Sequence, residues 1–301
     1  MKIQWYPGHM AKTRREIEES LALVDLVAEV VDARVPISSR NPDLWALCSR
    51  RPWIVVLNRV DQADPNATAR WRAYFESQGL TVVETDAKSG KGCGKFLPAV
   101  REKLKEKLAR FEEKGQSGRA VRIMILGVPN VGKSTFINRI AGKAILRAED
   151  RPGVTRSRQW VRLAGGVDML DTPGMLWPKF EDERVGINLA VAGSVRDQIL
   201  DVETLAMHFL PTLLRVAPEG VLARFKMGPE QAGLAGDKML EFCARKRGFL
   251  LSGGVPDTER FANILLDEFR AGKLGRVTLE MPEDIDTYGV EVEDEQGSVD
   301  F

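Results

Sequence analysis

At 301 residues, with 44% hydrophobic and 29% charged side chains, the chain is long for one domain, comfortable for two, and rich enough in apolar residues for a substantial core. No apolar run approaches the ~20 residues of a membrane span, and three cysteines (Cys48, Cys93, Cys243) without metal-ligand spacing point to a reducing cytoplasm. The net charge of +1 conceals an asymmetry: residues 280–301 hold nine acidic and no basic residues, which leaves 44 basic against 34 acidic ahead of them, a net of +10. A basic body with an acidic end suits a polyanionic partner such as nucleic acid, and it equally suits a solvated surface with a disordered tail; charge alone does not choose.

The N-terminal stretch WYPGHMAK (5–12) carries one of only two histidines, His9, just after Pro7 and Gly8. Glu16, Glu18 and Glu19 follow closely and argue against a transit peptide. Two apolar, β-branched runs, LVAEVVDAR (26–34) and WIVVLNRVD (53–61), predict buried parallel strands, with a helix over 41–49 between them. A third run, TVVETDAKSGKG (81–92), ends in a glycine-rich loop. Leu97, Val100, Leu104, Leu108 and Phe111 recur at helical spacing and predict one helix over 96–114, with 114–120 as a linker.

Next come a strand (121–127), a glycine loop, a helix from about Lys133 to Ala141, a polar loop (146–159) and the strand VDML running into DTPG. From Arg184 onward the patterns are helical; His208 in LAMHFL reads as a core or surface histidine. Alternating strands and helices predict an α/β fold with a mostly parallel sheet over 1–178, then a small all-α domain over 179–282 and an acidic tail over 283–301.

GVPNVGKST (127–135) fits G-x-x-x-x-G-K-[S/T] in full, between a strand and a helix. Backbone N–H groups through Asn130, Val131, Gly132 and Thr135 would curl around phosphates at a helix N-terminus. Lys133 would pair with the β- and γ-phosphates, and the Ser134 hydroxyl would ligate Mg²⁺. Asp171 of DTPG supplies a strand-end carboxylate for the same ion, Gly174 an N–H for the γ-phosphate, and Thr155 of RPGVTR a group that closes over Mg²⁺. The base is addressed by NRVD (58–61). An Asp61 carboxylate can accept from both N1–H and the 2-amino group of guanine, which adenine lacks, and sites built this way discriminate by roughly 10⁴. Asn58 would tie this loop to the phosphate loop, the Ala87 N–H would reach O6, and Lys88 would lie over the ring.

NRVD, DAKSGKG, GVPNVGKST, PGVT and DTPG are the GTPase signature set in rotated order, base-reading motifs first. The chain resembles a circularly permuted P-loop GTPase, and with YPGHMAK, DARVPISSRNP (32–42) and the segment 247–276 it closely resembles the ribosome biogenesis GTPase A family from about Trp5 to about Glu280. The resemblance implies GTP hydrolysis with Mg²⁺, a role on the large ribosomal subunit precursor and its rRNA, and release after hydrolysis by a protein that is monomeric off the ribosome. Permuted GTPases acting on another RNA process, or a nucleotide-gated scaffold with negligible turnover, are the rivals.

Three positions depart from the common pattern. Arg59 stands where Lys is usual, Asp86 replaces a small hydroxyl residue, and Met175 follows DTPG where many GTPases hold a water-orienting glutamine. The resemblance assigns the water to His9, whose neutral imidazole can accept its hydrogen bond; packing or RNA contact is the alternative. It also brings in K⁺ beside Asn130. Arg245, Lys246, Arg247, Arg270, Lys273 and Arg276 then become RNA-phosphate contacts, where composition alone would leave them as cations at helix ends.

Overall fold

The computed structural model describes residue 3 and residues 9–115, 118–146, 158–231 and 233–288, apart from the side chains of His9 and Pro229. Thr155 and the last thirteen residues of the expected tail lie outside that set.

The first described elements are helix α1 (His9–Leu21) and strand β1 (Leu26–Asp32), whose residues are all buried, Glu29 and Asp32 included, as a strand covered on both faces requires. Helix α2 (Pro42–Cys48) is capped by the Asn41 side chain, which accepts from the Asp43 N–H, with Pro42 at the first helical position. Strand β2 (Trp53–Asn58), helix α3 (Pro65–Ser77, capped by Asp64) and strand β3 (Thr81–Thr85) follow. Helices α4 (Phe96–Lys103) and α5 (Lys105–Glu113) replace the single helix expected over 96–114. The break falls at Leu104 (φ −104°, ψ 8°), the last residue of that apolar series to be buried.

Strand β4 (Val121–Leu126), helix α6 (Lys133–Ala141) and strands β5 (Gln159–Leu163) and β6 (Val167–Asp171) complete the sheet. Strand order is β3-β2-β1-β4-β6-β5, parallel except for the pair of β5 with β6. The expectation stopped short of β5, because this edge strand buries only Val161 and half-buries Leu163, with Gln159, Trp160 and Arg162 facing solvent. The chain winds from β1 out to β3, then crosses back to lay β4 on the other side of β1. The crevice at the carboxyl ends of β1 and β4 is therefore the topological switch point, where open α/β sheets take their ligands.

From Glu183 the described chain is helical: α7 (Glu183–Val191), α8 (Val202–Val216), α9 (Pro218–Phe225), α10 (Gly236–Lys246) and α11 (Thr258–Arg270). α8 is central, with Phe209 edge-on to Phe269 at 5.0 Å, while Phe225 meets Phe261 at 5.2 Å. His208 on α8 is exposed. After α11 the chain returns to the sheet: Val277 N–H donates to Gln62 O and Leu279 N–H to Arg34 O, both at 2.8 Å. Residues 283–288, expected as the start of the tail, belong to the packed structure. A 3-10 turn over Pro282–Tyr288 buries Ile285 and Tyr288, and Glu283 pairs with Arg70, so apolar anchors hold the chain through Tyr288 despite its acidity.

Candidate nucleotide-binding site

Four loops meet at the carboxyl ends of the sheet. Their keystone is the buried Asn58 at the end of β2. Its Nδ2 donates to Val131 O (3.0 Å), while Oδ1 accepts from Thr85 Oγ1 and from the Ala87 N–H (both 3.1 Å). One amide thus joins NRVD, the loop after β3 and the phosphate loop. Gly132 makes this approach feasible: at φ +102° it disfavours any side chain, and a Cβ there would stand 2.5 Å from Asn58 Nδ2.

The Ala87 N–H, expected to reach O6 of a base, donates to Asn58, a partner that sequence spacing does not reveal. Lys88 is exposed at the site's edge. Asp86 shapes this loop itself: its Oδ1 accepts from the Lys88 N–H (2.9 Å) and the Ser89 N–H (3.1 Å). Burial pushes its carboxyl up, but the bonds to Ser89 and Lys88 outweigh that and hold it below the usual range. Arg139 on α6 clamps the same loop through Ala87 O (3.2 Å) and Lys88 O. Sequence reasoning missed Arg139, which belongs to no motif.

Arg59, in the left-handed region at φ +63°, sends its guanidinium to Asn130 O (2.8 Å) and toward the Asp32 carboxylate (3.6 Å), so its head bridges to the phosphate loop. Burial pushes Asp32 up, but Arg34 and Arg59 hold it below the usual carboxylate range. Asp61 is exposed on the turn that follows β2.

In the phosphate loop Lys133 is buried and its ammonium donates to Gly127 O (3.2 Å) and Val128 O (2.8 Å). Burial lowers its pKa to about 8, against the pull of Asp171. Ser134 Oγ donates to Asp171 Oδ2 (2.9 Å), setting a hydroxyl and a carboxylate side by side. Two hard oxygen donors from facing elements fit Mg²⁺, which takes few protein ligands beside phosphate oxygens. Thr135 is half-buried on the first turn of α6. The DTPG segment lies directly on the phosphate loop: a Cβ on Gly174 would stand 2.5 Å from Pro129 Cα. Met175 is buried, its N–H donating to Gly127 O (3.3 Å) and its carbonyl accepting from Asn41 Nδ2 (3.0 Å). Asn130 (φ +58°) donates from Nδ2 to Gly193 O (3.3 Å), beyond α7. His9 opens α1, and Arg158 holds the far end of that helix through Glu16 O (2.9 Å) and Ser20 Oγ (2.7 Å).

The six cations expected on RNA divide in two. Arg247 joins Arg224 on Glu268, Arg270 binds Asp197 and the carbonyls of Ala190 and Val191, and Arg276 binds Val60 O and Ala63 O. These three guanidiniums also hold parts of the fold together, through partners remote in sequence. Lys246 and Lys273 are exposed, and the exposed Arg245 donates to Gly254 O at 3.0 Å.

Residues 122–212 match the family described as 50S ribosome-binding GTPase. Ribosome biogenesis GTPase A of Bacillus pumilus is 44% identical over 285 residues, 94% of this chain and all of that protein. Two solved YlqF structures are each 32% identical over 90% of this chain: a GDP-bound one with TM-score 0.65, covered in full, and a GNP-bound one from T. maritima with TM-score 0.64, covered to 99%. With such identity over a relative's full length, and with GTPase loops gathered at the switch point of a permuted sheet, the chain belongs to the ribosome biogenesis GTPase A family.

Proposed function

We propose that this protein is a Mg²⁺-dependent GTPase that binds the maturing large ribosomal subunit through its rRNA and leaves after hydrolysis. It works in the cytoplasm and is monomeric away from the particle. The observation that carries the reading is the Asn58–Val131 hydrogen bond, which fastens a base-reading loop to a phosphate loop 73 residues later in the chain.

Asp61 accepts from the guanine edge, and Lys133 pairs with the β- and γ-phosphates. Backbone N–H groups from Asn130 to Thr135 and at Gly174 hold phosphate oxygens, with Ser134, Asp171 and Thr155 as the Mg²⁺ ligands. When bound, Mg²⁺ would supply positive charge against the phosphate oxygens. Met175, buried and tied by its backbone, has no role with the attacking water, which supports His9 as the acceptor that orients it. The grip of Arg158 on α1 supports coupling between the loop that carries Thr155 and the helix that His9 opens. K⁺ beside Asn130 supplements the charge on the phosphates. Arg245, Lys246 and Lys273 contact rRNA phosphate.

GTP turnover measured with and without purified large subunits, in K⁺ and in Na⁺, tests this reading. Subunits raise the rate, K⁺ supports more turnover than Na⁺, and His9→Ala loses the stimulation while keeping nucleotide affinity. A rate indifferent to subunits overturns the assembly role in favour of a scaffold.

A further inference from the structure

The base-reading turn is held from the far end of the chain. Arg276 donates from Nε to Ala63 O (2.9 Å) and from its terminal nitrogen to Val60 O (2.8 Å), and the next residue, Val277, donates its N–H to Gln62 O (2.8 Å). Three carbonyls around Asp61 are thus gripped by two consecutive residues. Thr278 Oγ1 extends the grip, accepting from the Asp64 N–H and facing Ala33 O, both at 3.1 Å. The turn needs such support: it begins at Arg59 with φ +63°, a region that non-glycine residues resist.

We propose that Arg276 is a positioning residue for guanine recognition, fixing the turn on which Asp61 meets the base. The proposal rests on the base-reading role given to Asp61 above. A carboxylate that must accept from two ring-edge donors at once is sensitive to its aim. A planar guanidinium can hold two carbonyls in fixed relation, whereas an ammonium is a point donor.

The test titrates the full chain with fluorescent GDP and with its inosine analogue, which lacks the 2-amino group. In Arg276→Ala the Kd for GDP rises about tenfold, the equivalent of one charge-assisted hydrogen bond. The Kd for the inosine form rises much less, so the preference between the two collapses; Arg276→Lys falls between. Equal weakening of both nucleotides, or no change, overturns the proposal. Should Arg276→Ala fail to melt cooperatively, Arg276→Lys decides, because it must show the same selective loss at smaller size. Asp61→Asn tested with xanthosine diphosphate separates the layers. Gain of xanthine binding there, with unselective loss in the Arg276 variants, sinks the proposal alone. An Asp61→Asn protein with unchanged base preference sinks both.

Discussion

Replacing Glu280 by glutamine tests whether the buried acid at the chain's return is held protonated. Its carboxyl is fully buried and accepts from the Ile37 N–H (2.5 Å), the Ser38 N–H (3.1 Å), the Ser38 hydroxyl and Asn188 Nδ2 (2.8 Å), joining the loop after β1, α7 and the returning segment. Burial pushes its pKa up from 4.5 to about 7, with the donors of Ser38, Asn188 and Ile37 pulling the other way. The folded state therefore keeps a proton that the unfolded chain releases over this interval. Stability from this group is complete below pH 4.5 and is lost as pH rises to about 7. A gap of that size is worth about 3 kcal/mol at 1.36 kcal/mol per pH unit. Glutamine has no proton to lose. Urea unfolding of wild type and Glu280→Gln between pH 5 and 8 can be followed by Trp71, whose indole donates to Glu280 O, and other titrations cancel in the difference. The wild-type advantage shrinks by most of that amount as pH rises. A flat difference, or one that grows with pH, would show that the four donors outweigh burial and would refute the reasoning.

Lys133→Met abolishes nucleotide binding yet leaves the free protein at least as stable at pH 7, because the native ammonium is buried with its pKa lowered to about 8. Wild type gains up to about 3 kcal/mol between pH 8 and 10.5, where the folded state sheds the proton first; the variant does not, as denaturation at pH 7.5 and 10 will show. Asn58→Ala orphans the Ala87 N–H and the Thr85 hydroxyl, at about 1–3 kcal/mol for each buried group, and weakens GTP binding at least tenfold; thermal melts and nucleotide titration measure the two losses. Arg245→Glu with Lys273→Glu weakens binding to large-subunit particles and flattens its salt dependence without moving the melt. Arg247→Glu, which faces Glu268, lowers the melt itself.

What was legible in the sequence was local. The β-branched runs announced β1, β2 and β4, and the phosphate loop announced α6 at its observed bounds, because strand burial and helix-terminal phosphate geometry leave short-range patterns. What stayed hidden lay where the partner is distant. Arg247, Arg270 and Arg276 look alike as cations, and only the fold supplies Glu268, Asp197 and Val60 O. The Ala87 N–H was expected on a ligand, and its protein acceptor, Asn58, stands 29 residues away. Helix α3 drew no expectation, although Ala67, Trp71 and Phe75 recur every four residues and are buried. Arg139 had no signal at all, being one charged side chain on an amphipathic helix.

Permutation gives these distant partners a mechanical meaning. In rotated order the DTPG strand is the last of the sheet in chain order, so its loop runs straight on toward α7, and the helical part then returns to the turn after β2. The two regions are bonded at Asn130 with Gly193, at Arg276 with Val60 and Ala63, and at Glu280 with Ser38. The first touches the phosphate loop and the second the turn that carries Asp61. A nucleotide that shifts either loop acts on groups already bonded to the helical region, with no long relay between them. Linkage makes the traffic reciprocal: a particle that grips the helical region and displaces these bonds must change nucleotide affinity by the factor with which nucleotide changes affinity for the particle.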